Sequence, residues 1–238
     1  MRGLALSRLA RGISILGHPL LLTPLAGLAA WIAGGGAGMH AAGIVIVAGL
    51  AALLVMGYST RRVRSGDWAH VDASGRGERR SLNRFLLLGF VAATIAGVAL
   101  RWPASVSLSL LLSASMVASA MLAARWCKAS LHLAFAVFSA GLLYAVSAWA
   151  VAAGLLVALA IAGSRLHLRR HVGADLWCGA VIGAGRGGVL GRPAPVAGLT
   201  MALVGACIGR NDEPMVGGAL IRGRNRGSTR ASVRLARG

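Results

Sequence analysis

The sequence predicts an all-α fold, a multi-pass transmembrane helical bundle of about six to seven spans closed by a basic C-terminal tail. Three observations carry that reading. Of the 238 residues, 57% are hydrophobic and only 13% are charged, whereas globular chains carry about 25% charged residues. The hydrophobic residues come in long blocks, as spanning helices require, and not in the short periodic runs that line a single buried core. The formal charge of +19 sits at block ends and in the tail, where membrane proteins keep their arginines. That placement argues against a specific nucleic-acid partner, because charge alone is not specific.

Arg2, Arg8 and Arg11 precede a block from about Ile13 to Ala33, in which Pro19 and Pro24 predict a kink that a membrane helix tolerates. The block is long and lacks a clear cleavage site, so it reads as a span and not as a removable leader. After an uncharged glycine-rich connection, a second span runs from His40 to Tyr58. The arginine-rich segment Ser59 to Arg84 is too polar to span and reads as a structured loop. A third span covers Phe85 to Leu100, and a fourth covers Ala104 to Ala124, whose serines suit helix packing in lipid. From Ala129 to Gly163 the chain is apolar for too long to be one span, so it splits into two short ones, with the turn near Ser147-Ala148-Trp149. A seventh block starts near Val172.

Residues 1–185 form the transmembrane unit on this reading. Residues 186–238 are a tail rich in glycine and arginine, expected to be largely disordered and drawn to anionic membrane lipids. Cys127, Cys178 and Cys207 are odd in number and share no ligand spacing, which implies neither a disulfide framework nor a zinc site. The six tryptophans, most of them near predicted span ends, read as an interfacial belt.

The chemistry concentrates between the sixth and seventh blocks, in Ser164-Arg165, His171 and Asp175. If the chain is helical from His171 onward, the imidazole and the carboxylate share one face. A carboxylate there holds one ring nitrogen and leaves the other free as a base, ligand or nucleophile. A guanidinium nearby binds an oxyanion in bidentate fashion. Two spans separate the 59–84 segment from Lys128–His132, and two more separate that from Ser164–Asp175. An even number of crossings brings all three clusters to one side of the membrane.

These residues resemble the third motif of the type 2 phosphatidic acid phosphatases, S-R-x5-H-x3-D, at Ser164, Arg165, His171 and Asp175. The following helix, with Gly179 and Gly183, is also similar to the family. The second motif, P-S-G-H, is matched in Ser130 and His132 of Ala129-Ser130-Leu131-His132, without the proline and the glycine. The first motif, K-x6-R-P, is absent as such, although Glu78-Arg79-Arg80 lies where it belongs. The resemblance covers roughly residues 55–185. It implies an enzyme, a metal-independent lipid phosphatase without cofactor, acting on a lipid phosphate substrate. His171 would attack phosphorus and form a phosphohistidine, Asp175 would orient the ring, and His132 would serve the leaving oxygen and then water. Arg165, Lys128, Ser130, Ser164 and Arg79 would hold the phosphate oxygens, in keeping with the positioning and positive charge that phosphoryl transfer demands.

Other readings remain open. Arg169 and Arg170 read as interface anchors, Lys128 and His132 fit two interface residues one turn apart, and His18, His40 and His70 read as non-catalytic. His167, His171 and Asp175 recur at four-residue steps as a conceivable metal face, but further carboxylates or thiolates are missing nearby. The main rival is a diverged, non-catalytic membrane relative that binds phospholipid or a partner. A transporter is disfavoured because the ionisable residues lie at span ends and not at mid-membrane. The composition suggests a bacterial multi-pass protein of the inner membrane. The arginine bias of the loops places the motif side at the cytoplasmic face.

Overall fold

The computed structural model describes residues 2–36, 39–71, 73 and 75–190, and among them every regular element is helical. The chain opens with α1 (Arg2–Leu16) and α2 (Pro19–Ala33), bent 54° at the break between them. The kink expected inside one Ile13–Ala33 span is therefore a break at Gly17-His18. Pro19 starts α2, where its missing N–H costs nothing. His18 caps the helix, its Nδ1 accepting the Leu20 N–H at 3.3 Å.

α3 (Met39–Arg64) and α4 (Arg76–Ala99) correct the reading of residues 59–84 as a loop. Only residues 65–75 connect the two helices. Arginine is a good helix former, and at the end of α3 it also complements the helix dipole, so polarity ended the span without ending the helix. Glu78 fastens the connection by accepting the Ala69 N–H at 2.7 Å and the Gly75 N–H at 2.8 Å. Trp68 is buried edge-on against Tyr58 and so belongs to this packing, not to an interfacial belt.

α5 (Ala104–Ala123), α6 (Leu131–Leu142), α7 (Ala148–His167) and α8 (Gly173–Leu190) complete the bundle. A single 3₁₀ turn, Leu143–Ala145, prolongs α6. The long apolar stretch does divide near Ser147, whose Oγ caps α7 by accepting the Ala150 N–H at 3.0 Å. α8 continues past residue 185 to Leu190. The tail expected to be largely disordered from 186 is therefore helical over 186–190, and its remainder, residues 191–238, lies outside the described residues.

α6 is the axis of the core, with ten of its 12 residues buried. α8 lies against it through small residues. A Cβ on Gly179 would meet the Ser130 backbone, one on Gly183 the Ala134 backbone, and Gly187 faces Gly141. This is the close backbone approach that small residues at four-residue spacing allow in lipid. Cys127, just before α6, is disulfide-bonded to Cys178 of α8, which corrects the expectation of no disulfide. The pairing was invisible in sequence because tertiary packing of α6 on α8 creates the proximity. Arg186 of α8 reaches Ser115 at 3.3 Å and Ser119 at 2.5 Å, two serines of α5.

α3, α4, α5 and α7 are long and apolar enough to cross a membrane, and the bent α1–α2 pair is a fifth candidate. α6 is shorter, and α8 carries Asp175 and Arg186.

Candidate active site

The three polar clusters meet at one end of the bundle. Arg79 at the start of α4, Lys128 and His132 around the start of α6, Arg165 near the end of α7 and His171 before α8 line a single cavity. The centre of the cluster is Arg165, which is buried. Its Nη2 lies 2.6 Å from His132 Nδ1, and its Nη1 lies 3.3 Å from Ser14 Oγ of α1. A guanidinium has no lone pair to offer, so His132 Nδ1 is the acceptor and, in the neutral ring, the proton resides on Nε2.

The helix expected from His171 onward begins later, at Gly173. His171 sits in the connection, and Asp175 occupies the first turn of α8. The pair still meets, with His171 Nδ1 3.5 Å from Asp175 Oδ2. That separation is longer than a formed hydrogen bond. The carboxylate is held from elsewhere. Its Oδ1 accepts the Lys128 N–H at 2.8 Å and its Oδ2 accepts the Val172 N–H at 3.3 Å, and its charge favours the N-terminal end of α8. The Ser130 N–H donates to the Asp175 carbonyl at 3.0 Å. Asp175 therefore ties the chain before α6 to the start of α8, next to the disulfide. Burial lowers the His171 pKa to about 4, helped by the positive charge of Arg165 and opposed by Asp175. The ring is accordingly neutral at pH 7, as a nitrogen nucleophile must be.

The connection between α7 and α8 closes as a Schellman motif. The Arg170 N–H donates to the Arg165 carbonyl at 3.0 Å and the Arg169 N–H to the Leu166 carbonyl at 2.9 Å. Arg169 takes the left-handed position, with φ of 52°, where glycine is the usual residue. The Arg170 carbonyl accepts Lys128 Nζ at 3.0 Å. Arg169 and Arg170, read from the sequence as interface anchors, both line the cavity.

Two expected phosphate ligands do not line it. Ser164 is buried and its Oγ donates to the Ile161 carbonyl at 2.8 Å, within its own helix. Ser130 is fully buried under Gly179, and its Oγ has no hydrogen-bond partner among the described residues. The break between α7 and α8 also separates His167 from His171. Among the described residues no three His, Cys, Asp or Glu side chains are placed to hold a metal ion. Two contributors were missed in the sequence. His18 stacks edge-on against His132, with ring centroids 5.1 Å apart, and Ser14 touches Arg165. The break between α1 and α2 delivers both, and only the Gly-His-Pro punctuation at 17–19 hinted at it.

No family model, curated protein or solved structure matches this chain. Basic residues from four connections or helix ends surround two imidazoles, one neutral by burial and the other bonded to a guanidinium. Such a constellation suits an oxyanion with several equatorial oxygens.

Proposed function

We propose that this protein is a membrane phosphatase that hydrolyses a lipid phosphomonoester or diphosphate, such as phosphatidate or a polyprenyl diphosphate. The observation that carries this reading is the convergence of Arg165, His132, His171, Asp175 and Lys128 at one basic end of a cavity whose other walls are mostly apolar. In this scheme Arg165, Lys128 and Arg79 neutralise the phosphate, with Arg169 and Arg170 beside them. His171 attacks phosphorus through Nε2 while Asp175 holds the Nδ1 side. Arg165 rests on His132 Nδ1 before substrate arrives. A phosphate group competes for that guanidinium, which frees Nδ1 to take a proton and makes His132 competent to protonate the leaving oxygen. Water then attacks the phosphohistidine, with His132 as base, and returns the electron pair to His171.

The membrane is proposed to be a bacterial inner membrane, crossed by more helices than the four or five most apolar ones. The arginine bias at the site end favours the cytoplasmic face. The Cys127–Cys178 disulfide, at the same end, favours an oxidising compartment. Phosphate-binding arginines belong at that end in either orientation, so the disulfide weighs more, and we place the site on the oxidising side. A non-catalytic phospholipid-binding role is the second reading, favoured by the absent first motif.

The test is phosphate release from phosphatidate and polyprenyl diphosphate in detergent with EDTA present, wild type beside His171→Ala. Release that survives chelation and falls by at least about 10³-fold in the variant is expected. A folded wild type that binds lipid phosphate yet releases none from any substrate supports the non-catalytic reading instead.

A further inference from the structure

The cavity that holds the basic cluster does not stop below it. It has a volume of about 2090 Å³, roughly twice the ~1,000 Å³ upper end of ordinary small-molecule sites. At the basic end it is lined by His18, at the start of α2. At the other end it is lined by residues of three separate turns: Gly34–Gly36 after α2, Trp102-Pro103 before α5, and Tyr144-Ala145 after α6. All three turns lie at the end of the bundle opposite the site, because each follows one helix that starts beside it. The cavity therefore runs the whole length of α2, whose 15 residues measure about 22 Å. One leaflet of hydrocarbon is only about 15 Å deep, half of the ~30 Å core.

Its outer wall is α3. This helix packs on α2, and towards its C-terminal end Tyr58 stacks on Phe85 of α4 at 4.2 Å and meets Ser81 at 2.7 Å. α3 lines the cavity from Gly43 to Val55. Gly27 of α2 and Gly43 of α3 both face open space, since a Cβ on either would meet no atom within 4 Å. Gly27 lies roughly 13 Å along α2 from His18, and Gly43 lies beyond it, close to the far turn.

We infer that this groove holds the apolar chain of the substrate and selects a lipid phosphate whose chain is longer than one leaflet, a polyprenyl diphosphate over a diacyl lipid, with Gly27 and Gly43 setting the length. The inference rests on the phosphatase reading for its head group and on the cavity alone for its chain. The tail of a diacyl lipid ends near mid-membrane and leaves about the far third of the groove unfilled. A long isoprenoid fills it.

The experiment compares undecaprenyl diphosphate, geranyl diphosphate and dipalmitoyl phosphatidate in detergent, using wild type, Gly27→Phe and Gly43→Phe of matched melting temperature. Both phosphate release and binding of radiolabelled lipid are measured. Wild type is expected to favour the undecaprenyl substrate, and each variant to lose about ten-fold or more of kcat/KM on it while geranyl diphosphate stays within about two-fold. Equal losses on both isoprenoids, no loss on either, or a wild-type preference for phosphatidate would overturn the inference. If no substrate releases phosphate, the phosphatase reading fails, and binding decides the groove. Undecaprenyl affinity weakened by Gly27→Phe and Gly43→Phe sustains it, and unchanged affinity overturns it.

Discussion

α6 and α3 are both apolar helices, yet ten of the 12 residues of α6 are buried while none of the apolar window of α3 is. α6 is clamped by α8 through backbone-to-backbone glycine contacts, by α7, and by a disulfide at its entrance. α3 packs on α2 and lines the cavity behind it. Under the proposed function the two regions would divide the work. The clamped one positions Lys128, His132, His171 and Asp175 against each other, and positioning is what phosphoryl transfer asks of a protein. The loosely packed one offers room without geometry, which suits a flexible hydrocarbon chain.

That division breaks most readily at the disulfide. It joins cysteines 51 residues apart, and removing it by Cys127→Ser should lower stability by about 2–4 kcal/mol, read as a fall in melting temperature in detergent. Reduction of the wild type should reproduce the fall. A melting temperature indifferent to both would remove the disulfide from the clamp. Next in size is the glycine contact. Gly183→Leu forces a side chain against the Ala134 backbone and should cost roughly 1–3 kcal/mol. Gly49→Leu on α3 meets nothing within 4 Å and should stay within about 0.5 kcal/mol. Equal costs at the two positions would erase the contrast between the helices.

How much of this was legible in the sequence depends on the region. Block hydrophobicity gave the helices and the split at Ser147, because both follow from local composition and length. The S-R-x5-H-x3-D spacing led to Arg165, His171 and Asp175, which the structure brings to one place. Contacts made across the bundle were not legible. Ser14 and His18 reach the site only because α1 and α2 part at Gly17-His18, and Cys127 finds Cys178 only because glycines let α8 approach α6. Ser130 and Ser164 match motif positions by type, but local packing turns them away from the cavity.

The clamped region also makes a pH prediction. Unfolded, His171 titrates near the ordinary 6.5, and folded it titrates at about 4. Between those values the unfolded chain binds the extra proton, so stability from this group is present above 6.5 and is lost as pH falls through 4. The acid limb of kcat/KM should likewise lie near 4. Arg165→Met should shift it upward by removing a positive neighbour. An acid limb unmoved by that change would mean Arg165 does not act on His171. The smallest effect is expected at Arg169, whose left-handed backbone favours glycine. Arg169→Gly should leave stability equal or higher by about 1 kcal/mol while raising KM for the lipid phosphate. A fall in stability with KM unchanged would make Arg169 structural only.

The central claim is that the clamped region builds a nucleophilic histidine. Its most direct test is rapid mixing of the wild type with a lipid phosphate labelled at the terminal phosphorus, quenched in alkaline detergent and followed by peptide mapping. The account predicts an acid-labile, base-stable label on His171 that builds within one turnover and is absent from His171→Ala. Phosphate release with no label on the protein at any time, or a label on a different residue, would contradict it.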